Sequence, residues 1–556
     1  MKDPRFPELT ARQIKILKEY GEVKSFDKPE RIFSLGEQRY KFFVVLDGVV
    51  NIEDPTNDNK IIVEHGKNEF TGDAGMLSNR GAQFHAVAQP GTSVLSINPD
   101  RIHEIISKHS DISDTLLNAF LQRQETVLNE FTGGLKLIGS GKSNTTYEIR
   151  DFLEKNHIWH NFLNVDSSKE AVELLDQFSI CPDDLPILIN ADGKVCAQPN
   201  LDELARYTGV LMDFEDRVFD VLVIGAGPSG LAASVYAASE GLSTVTIDSS
   251  APGGQAGKSS KIENYLGFPT GISGSDLANR AYIQAQKFGC NISIPHKAES
   301  IEHTGDHFIL CASNGKEIKT RALVAATGAN YRRLPVDNLE KYEGSGVYYS
   351  ATGMDASGCE NELVGIVGGG NSAGQAAMFL AKFAKHVHVI LRGDDLGAKM
   401  SDYLVQRIMA SERITLHKNT EVTELHGDHS LEKCTLITPG GDEQMEITNL
   451  FTFIGAKPCT EWLGDLVVTD PKGFICTGPD IRNTEKSTCS IYKQRDPQSL
   501  ETSIPGFFAV GDVRNGSVKR VASAVGEGSM VISQVHRFLG ELRTNENVDM
   551  EVASNS

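Results

Sequence analysis

The sequence predicts an α/β chain of several units: a small β-barrel with helices, a small α/β sheet, and a longer α/β region holding two parallel-sheet domains. Three observations carry that expectation. Two separate strand, glycine-loop, helix stretches lie at 220–240 and 364–382. Ahead of them, short apolar runs give way near residue 135 to alternating strand and helix patterns. The 556 residues also exceed what one core holds, at a prior of about 150 residues per domain.

Composition narrows the function classes. Apolar residues make up 40% and charged residues 23%, an ordinary globular balance that excludes a largely disordered chain. The 54 basic and 74 acidic residues leave a net charge of −20, which repels phosphate backbones, so no nucleic-acid partner is expected. No run approaches the roughly 20 apolar residues a bilayer span needs. Met1–Glu8 has no apolar core of signal-peptide length. The expectation is a cytoplasmic chain with no membrane segment. Nine cysteines are scattered, and no two lie within three residues of each other. Neither a zinc ribbon nor a dithiol motif can be written, and no metal site is expected.

Within residues 1–130, Phe42–Ile52 reads as two strands joined in a hairpin at Asp47-Gly48. Further short strands are predicted at Lys60–Glu64 and Gly91–Ile97. Ile102, Ile105, Ile106, Leu116, Leu117, Phe120 and Leu121 then recur at helical spacing. A barrel closed by helices follows. Over residues 135–212, strands at Leu135–Ile138, Trp159–Val165 and Leu185–Ile189 alternate with helices, which implies a small α/β sheet.

The strand Asp220–Ile224 runs into Gly225-Ala226-Gly227-Pro228-Ser229-Gly230 and a helix over Leu231–Glu240. Gly225 suits the tight turn, Gly227 the approach of a pyrophosphate, and Gly230 close helix–strand packing; Ser229 lies among them. The next strand ends in Asp248, placed to accept from a ribose diol. The second loop, Gly368-Gly369-Gly370-Asn371-Ser372-Ala373, follows the strand Val364–Val367 and opens a helix predicted from Gly374. Its next strand ends in Arg392 rather than an acid, which suits a 2′-phosphate and points to NADPH rather than NADH. Lys399 and Arg407 are further basic residues nearby. Two Rossmann-like dinucleotide folds in series imply two dinucleotides, one a bound flavin and one a dissociable nicotinamide.

Residues 218 to about 540 resemble the low-molecular-weight thioredoxin reductases. The resemblance is carried by Pro252-Gly253-Gly254-Gln255, Ile262–Gly267, Ala326-Thr327-Gly328, Phe453–Ala456 and Ala509–Val513. It implies FAD held by 218–338 and 460–545, and NADPH held by an inserted domain at 339–459. It further implies Gln255 and Asn264 near the flavin, Thr327 and Gly328 beside the FAD pyrophosphate, and Gly511-Asp512 at the ribityl chain. A helix after Arg520, from Val521, would aim its N-terminus at the flavin's pyrimidine edge, stabilising negative charge. A homodimer is expected from the family.

The family's redox disulfide lies in Cys-Ala-Thr-Cys, and the matching stretch here is Ser350-Ala351-Thr352-Gly353. Ser350 and Gly353 stand where the two cysteines would, so a flavin-to-dithiol relay at this position is chemically impossible. Asp355 resembles the family's acid, shifted by one position. Cys359, six residues on from Gly353, is expected to be a small hydrophobe rather than a substitute thiol. Gly344-Ser345-Gly346 and Lys457-Pro458 read as hinges.

Residues 30–130 resemble a cyclic-nucleotide-binding domain through Phe43–Gly48 and Phe70–Leu77. Asp73 stands where that family has a Glu for the ribose. Ala82 or Gln83 stands where it has an Arg for the phosphate, and Arg80 comes early. A degenerate regulatory or dimerising barrel is expected, not cyclic-nucleotide binding. Residues 135–212 are similar to the thioredoxin/glutaredoxin fold, with Leu185-Pro186 at its cis-proline and no cysteine in Ser140–Thr145. The expected activity is NADPH-dependent FAD oxidoreduction, delivering electrons to an acceptor not served by an internal disulfide: ferredoxin or flavodoxin, a quinone, oxygen, or a partner's disulfide. The alternative is a non-enzymatic dinucleotide or redox sensor signalling through the N-terminal units.

Overall fold

A computed structural model of the chain describes residues 3–55, 59–78, 80–130, 135–178, 180–190, 193–211, 216–259, 261–351, 356, 358–428, 430–483 and 495–554. The N-terminal unit packs a three-stranded sheet (Gly21–Phe26, Thr92–Ile97, Phe42–Asp47) against a four-stranded one. The second sheet runs Glu30–Phe33, His85–Ala88, Val50–Asp54, Lys60–His65. The expected hairpin at Asp47-Gly48 does not form, because the strands on either side of it belong to different sheets. Thr92 explains this: its Oγ1 accepts from Val49 N at 3.0 Å and donates to Val49 O at 2.8 Å. Those backbone groups therefore pair with a residue far along the chain rather than across the turn. The apolar spacing beyond residue 99 does give helices, Asp100–Lys108 and Ser110–Glu130. They bury Ile102, Ile105, Ile106, Leu116 and Phe120.

The next unit is a four-stranded sheet in the order Val195–Ala197, Ile187–Ile189, Leu135–Gly139, His160–Asn164, with only the last pair parallel. The Leu185–Pro186 peptide is cis. Helix Asn144–Lys155 opens on Ser143, whose Oγ accepts from Thr146 N, at the place where reactive cysteines would have stood.

From Val218 the chain builds a seven-stranded sheet centred on Val218–Ile224, flanked in parallel by Thr244–Ile247 and Glu317–Ala325. Strand Phe507–Ala509 returns from far along the chain to pair with Glu317–Ala325. Inserted within it is a five-stranded parallel sheet in the order Val347–Tyr348, Asn449–Thr452, Leu363–Val367, His386–Leu391, Ile414–Lys418. A short antiparallel ribbon, Ala329–Tyr331 on Ala456–Pro458, is where the chain enters and leaves that insert. Both expected helices start earlier than their apolar patterns, at Pro228 and Asn371. Pro at the first helical position is pre-set for helix, and the apolar residues mark only the turns that pack.

The return of the last strand depends on a buried carboxylate. Glu501 is fully buried and accepts from Arg495 at 2.7 and 2.9 Å, from Gln498 N at 2.9 Å and from Gly506 N at 3.0 Å. Glu501→Ala leaves two N–H donors without their acceptor and removes one of the two carboxylate partners of Arg495, the other being Glu541 at 3.1 Å. It is expected to lower the unfolding free energy by about 3–5 kcal/mol, read by urea denaturation.

Candidate dinucleotide sites

Both glycine loops open on one cavity of about 840 Å³. Each lies where a central parallel strand ends and a helix begins, with helical N–H groups directed at the gap. From the first loop come Gly225, Gly227 and Ser229; from the second come Gly370, Asn371, Ser372 and Ala373. Asp248, Gln255 and Asn264 line the same space, as do Thr327 and Gly328. So do Asp512, Arg520 and Val521, at the start of helix Val521–Ser554.

The glycines divide into two kinds. A Cβ on Gly230 would stand 1.8 Å from Gly225 O, and one on Gly368 would stand 2.5 Å from Phe453 O. These two are required by the protein's own packing, and neither lines the cavity. A Cβ on Gly227 would find only Gly254 Cα at 3.9 Å, and one on Gly370 nothing within 4 Å. Their φ values, −70° and −101°, suit any residue. Space the protein does not need is left at the two positions where a phosphate would approach. Gly511 falls in the first group, 2.4 Å from Ser229 Oγ by the same measure.

Polar groups around the cavity are arranged in advance. The Asp248 carboxylate accepts from Ala226 N at 2.8 Å, Ser250 N at 2.9 Å and Ala251 N at 3.2 Å. Burial pushes its pKa up and those bonds pull against the rise. Among the described residues, buried Gln255 Oε1 has no hydrogen-bond partner, an orphan that a bound ligand's donor would satisfy. Asn371 Oδ1 accepts from Ser401 N at 2.7 Å, fixing the second loop. Thr327 Oγ1 donates to Cys459 O at 2.8 Å. Burial raises the Asp512 carboxyl too, and the Lys519 charge opposes the rise. Gly511 N donates to Glu527 at 2.7 Å, and Glu527 also pairs with Arg514, which ties the Asp512 turn to the long helix.

Other expected residues are not brought in. Arg392 does not line the cavity: Thr420 N bonds Leu391 O at 3.0 Å and Asn419 N bonds Gly393 O at 2.9 Å. That pairing draws the strand end toward Glu421, 3.6 Å from the exposed guanidinium. Lys399 lines the cavity instead. Arg407 reaches across to the other domain and pairs with Glu263 at 2.8 Å. Ser350 is buried away from the cavity lining, and Gly353 and Asp355 lie outside the described residues. Cys359 is fully buried in the core of the inserted sheet. Among the described residues no cysteine lines the cavity and none forms a disulfide. Burial pushes the thiols of Cys290 and Cys459 up to about 11. Lys155, from the small α/β unit, also lines the cavity; nothing in its local sequence marks it.

The barrel holds its own cavity of about 270 Å³, lined by Tyr40, His65, Asp73, Ala82, Gln83 and Arg123 among others. Arg80 is not among them; it donates to Asn156 O at 2.9 Å in the neighbouring unit. Arg123 donates to the carbonyls of Arg5, Gly72 and Phe70 at 2.6–3.0 Å.

Residues 219–528, more than half of the chain, match the family described as pyridine nucleotide-disulphide oxidoreductase. The chain belongs to that family. Membership implies FAD and NADPH, and the open glycines and the orphaned Gln255 oxygen fit such cofactors. Residues 23–109 match the cyclic nucleotide-binding domain. The chain is 31% identical to a thioredoxin reductase of Bacillus subtilis (strain 168) over 332 residues, 59% of this chain and 97% of that one. A thioredoxin reductase of Listeria monocytogenes is 30% identical over 345 residues, 62% of this chain and 100% of that one. Among solved structures, Lactococcus lactis thioredoxin reductase in its FR conformation superposes with a TM-score of 0.52 at 28% identity, covering 58% of this chain and 99% of that one. The T. acidophilum enzyme gives 0.50 at 29% identity, covering 56% and 96%. No helix among the described residues is long and apolar enough to cross a membrane.

Gly227→Ala and Gly370→Ala are expected to leave the melting temperature of the cofactor-free protein unchanged. The first should raise the FAD dissociation constant and the second the KM for NADPH, each roughly 10- to 100-fold. Calorimetry, flavin-fluorescence titration and steady-state kinetics read the three quantities.

Proposed function

We propose that the chain is an NADPH-dependent FAD oxidoreductase that delivers electrons to an acceptor outside its own sequence. The observation that carries this is the single cavity onto which both dinucleotide loops open, with no described cysteine in its wall. When bound, NADPH supplies a hydride and FAD accepts it. The protein's part is to bind and orient. Gly227, Ser229, Thr327 and Gly328 would hold the FAD pyrophosphate side, and Asp248 the ribose diol. Gln255 and Asn264 would lie near the flavin, and Asp512 would accept from its ribityl chain. The start of helix Val521–Ser554 presents N–H groups and a positive dipole end to charge that develops on reduction. Gly370, Asn371, Ser372 and Ala373 would hold NADPH.

Sequence position supports an external acceptor as well. Ser350 and Gly353 replace the expected dithiol, and Cys359 is buried in a core. Ferredoxin or flavodoxin, a quinone, oxygen and a partner's disulfide are the acceptor classes left, and a homodimer in a reducing, cytoplasmic setting is the working assembly. One observation favours a second reading, a sensor: Arg80 of the barrel bonds Asn156, and Asn156 Nδ2 bonds Ser250 O in the cavity wall at 2.9 Å. NADPH oxidation with a one-electron dye as acceptor, before and after alkylation of every accessible thiol, separates the readings. Turnover unaffected by alkylation is expected; a rate abolished by alkylation contradicts the external route, and no turnover with any acceptor favours the sensor.

A further inference from the structure

No described cysteine of the small α/β unit lines the cavity, yet the unit reaches the wall of the dinucleotide site. Its helix Asn144–Lys155 ends there, and three consecutive residues make the contact. Lys155 lines the cavity beside Asp248, Ser249 and Ser250. Asn156 is almost fully buried, and its Nδ2 donates to Ser250 O at 2.9 Å. His157, with a positive φ of 52°, brings Nε2 to 3.4 Å from Ser275 Oγ. Ser250 and Ser275 both belong to the cavity wall, so Lys155 is fastened next to two points of it. Arg80 secures the same turn from the barrel, donating to Asn156 O at 2.9 Å.

The lysine is positioned for a ligand rather than for packing. Its ammonium has three donors; Asp151, one turn back on the helix, takes a bond from it. Its charge also acts on the Asp248 carboxyl, pulling against the rise that burial causes. Asp248 is the acid at the end of the second strand, where a ribose diol belongs.

We propose that Lys155 is a cofactor-binding residue contributed by the small α/β unit, donating to the adenosine-ribose end of FAD beside Asp248. This rests on the reading of the cavity as the FAD site. It gives the small unit a purpose without a dithiol: it completes the nucleotide end of a site built mainly by another domain. The ammonium is a donor where Asp248 is an acceptor, so together they match the mixed character of ribose hydroxyls and adenine ring nitrogens.

The test uses the full-length cofactor-free protein and two flavins. Lys155→Gln should raise the dissociation constant for FAD about tenfold, the loss of one charged hydrogen bond. It should leave that for FMN, which lacks adenosine, and the melting temperature of the cofactor-free protein unchanged. Lys155→Arg should recover most of the FAD affinity. Equal weakening for FAD and FMN, or an FAD constant within twofold of wild type, would overturn the inference while leaving the FAD site standing. A wild-type chain that takes up no FAD would overturn the site itself and this inference with it.

Discussion

The structure depends on two helix N-termini facing one gap. Helices Pro228–Ser239 and Asn371–Leu380 belong to separate sheets, joined where the chain crosses by a ribbon only three residue pairs long. Each helix presents unpaired N–H groups and the positive end of its dipole. Two such ends opening on one space are tolerable when anions fill it, and dinucleotides supply them. The open sides of Gly227 and Gly370 are the packing consequence: in a nucleotide-free sheet, the protein's own atoms would fill that space, as neighbouring backbone does at Gly230 and Gly368.

The small α/β unit adds a second constraint, because its helix Asn144–Lys155 spans both domains. At the helix start, the ring of Tyr147 lies 5.8 Å from that of Tyr348 in the insert. A Cβ on Gly344, in the stretch that reads as a hinge, would lie 3.2 Å from Asn144 Oδ1. At the helix end, Lys155 enters the FAD-side wall. Arg407 and Glu263 form an ion pair between insert and FAD domain, exposed enough that its own contribution is small. Rotation of the insert, which an internal dithiol would require in order to alternate with the nicotinamide, would have to break the Tyr147–Tyr348 contact. The proposed external route makes no use of that rotation.

The glycine loops were readable because their geometry is local. A tight turn, an open approach and a close packing contact are each specified by a residue within a few positions of the strand end. The acid at Asp248 was readable for the same reason. What stayed hidden was whatever a distant residue decides. Asp47-Gly48 has the composition of a hairpin, but Thr92 claims the backbone of Val49. Arg392 ends the correct strand, yet the pairing of residues 391–393 with 419 and 420 turns it toward Glu421. Lys155 left no signal and Arg80 a misleading one, since both act across unit boundaries. Arg80 in particular reads as a displaced phosphate ligand until its partner, Asn156, is seen.

The proposed external route gives the chain a definite electron capacity. On that route, and with the described thiols in no disulfide, the flavin would be the sole carrier. Anaerobic titration of the FAD-loaded protein with NADPH, followed by visible absorbance, counts those electrons. Complete bleaching with one NADPH per flavin is expected, and uptake of two per flavin would reveal an internal disulfide and contradict the external route.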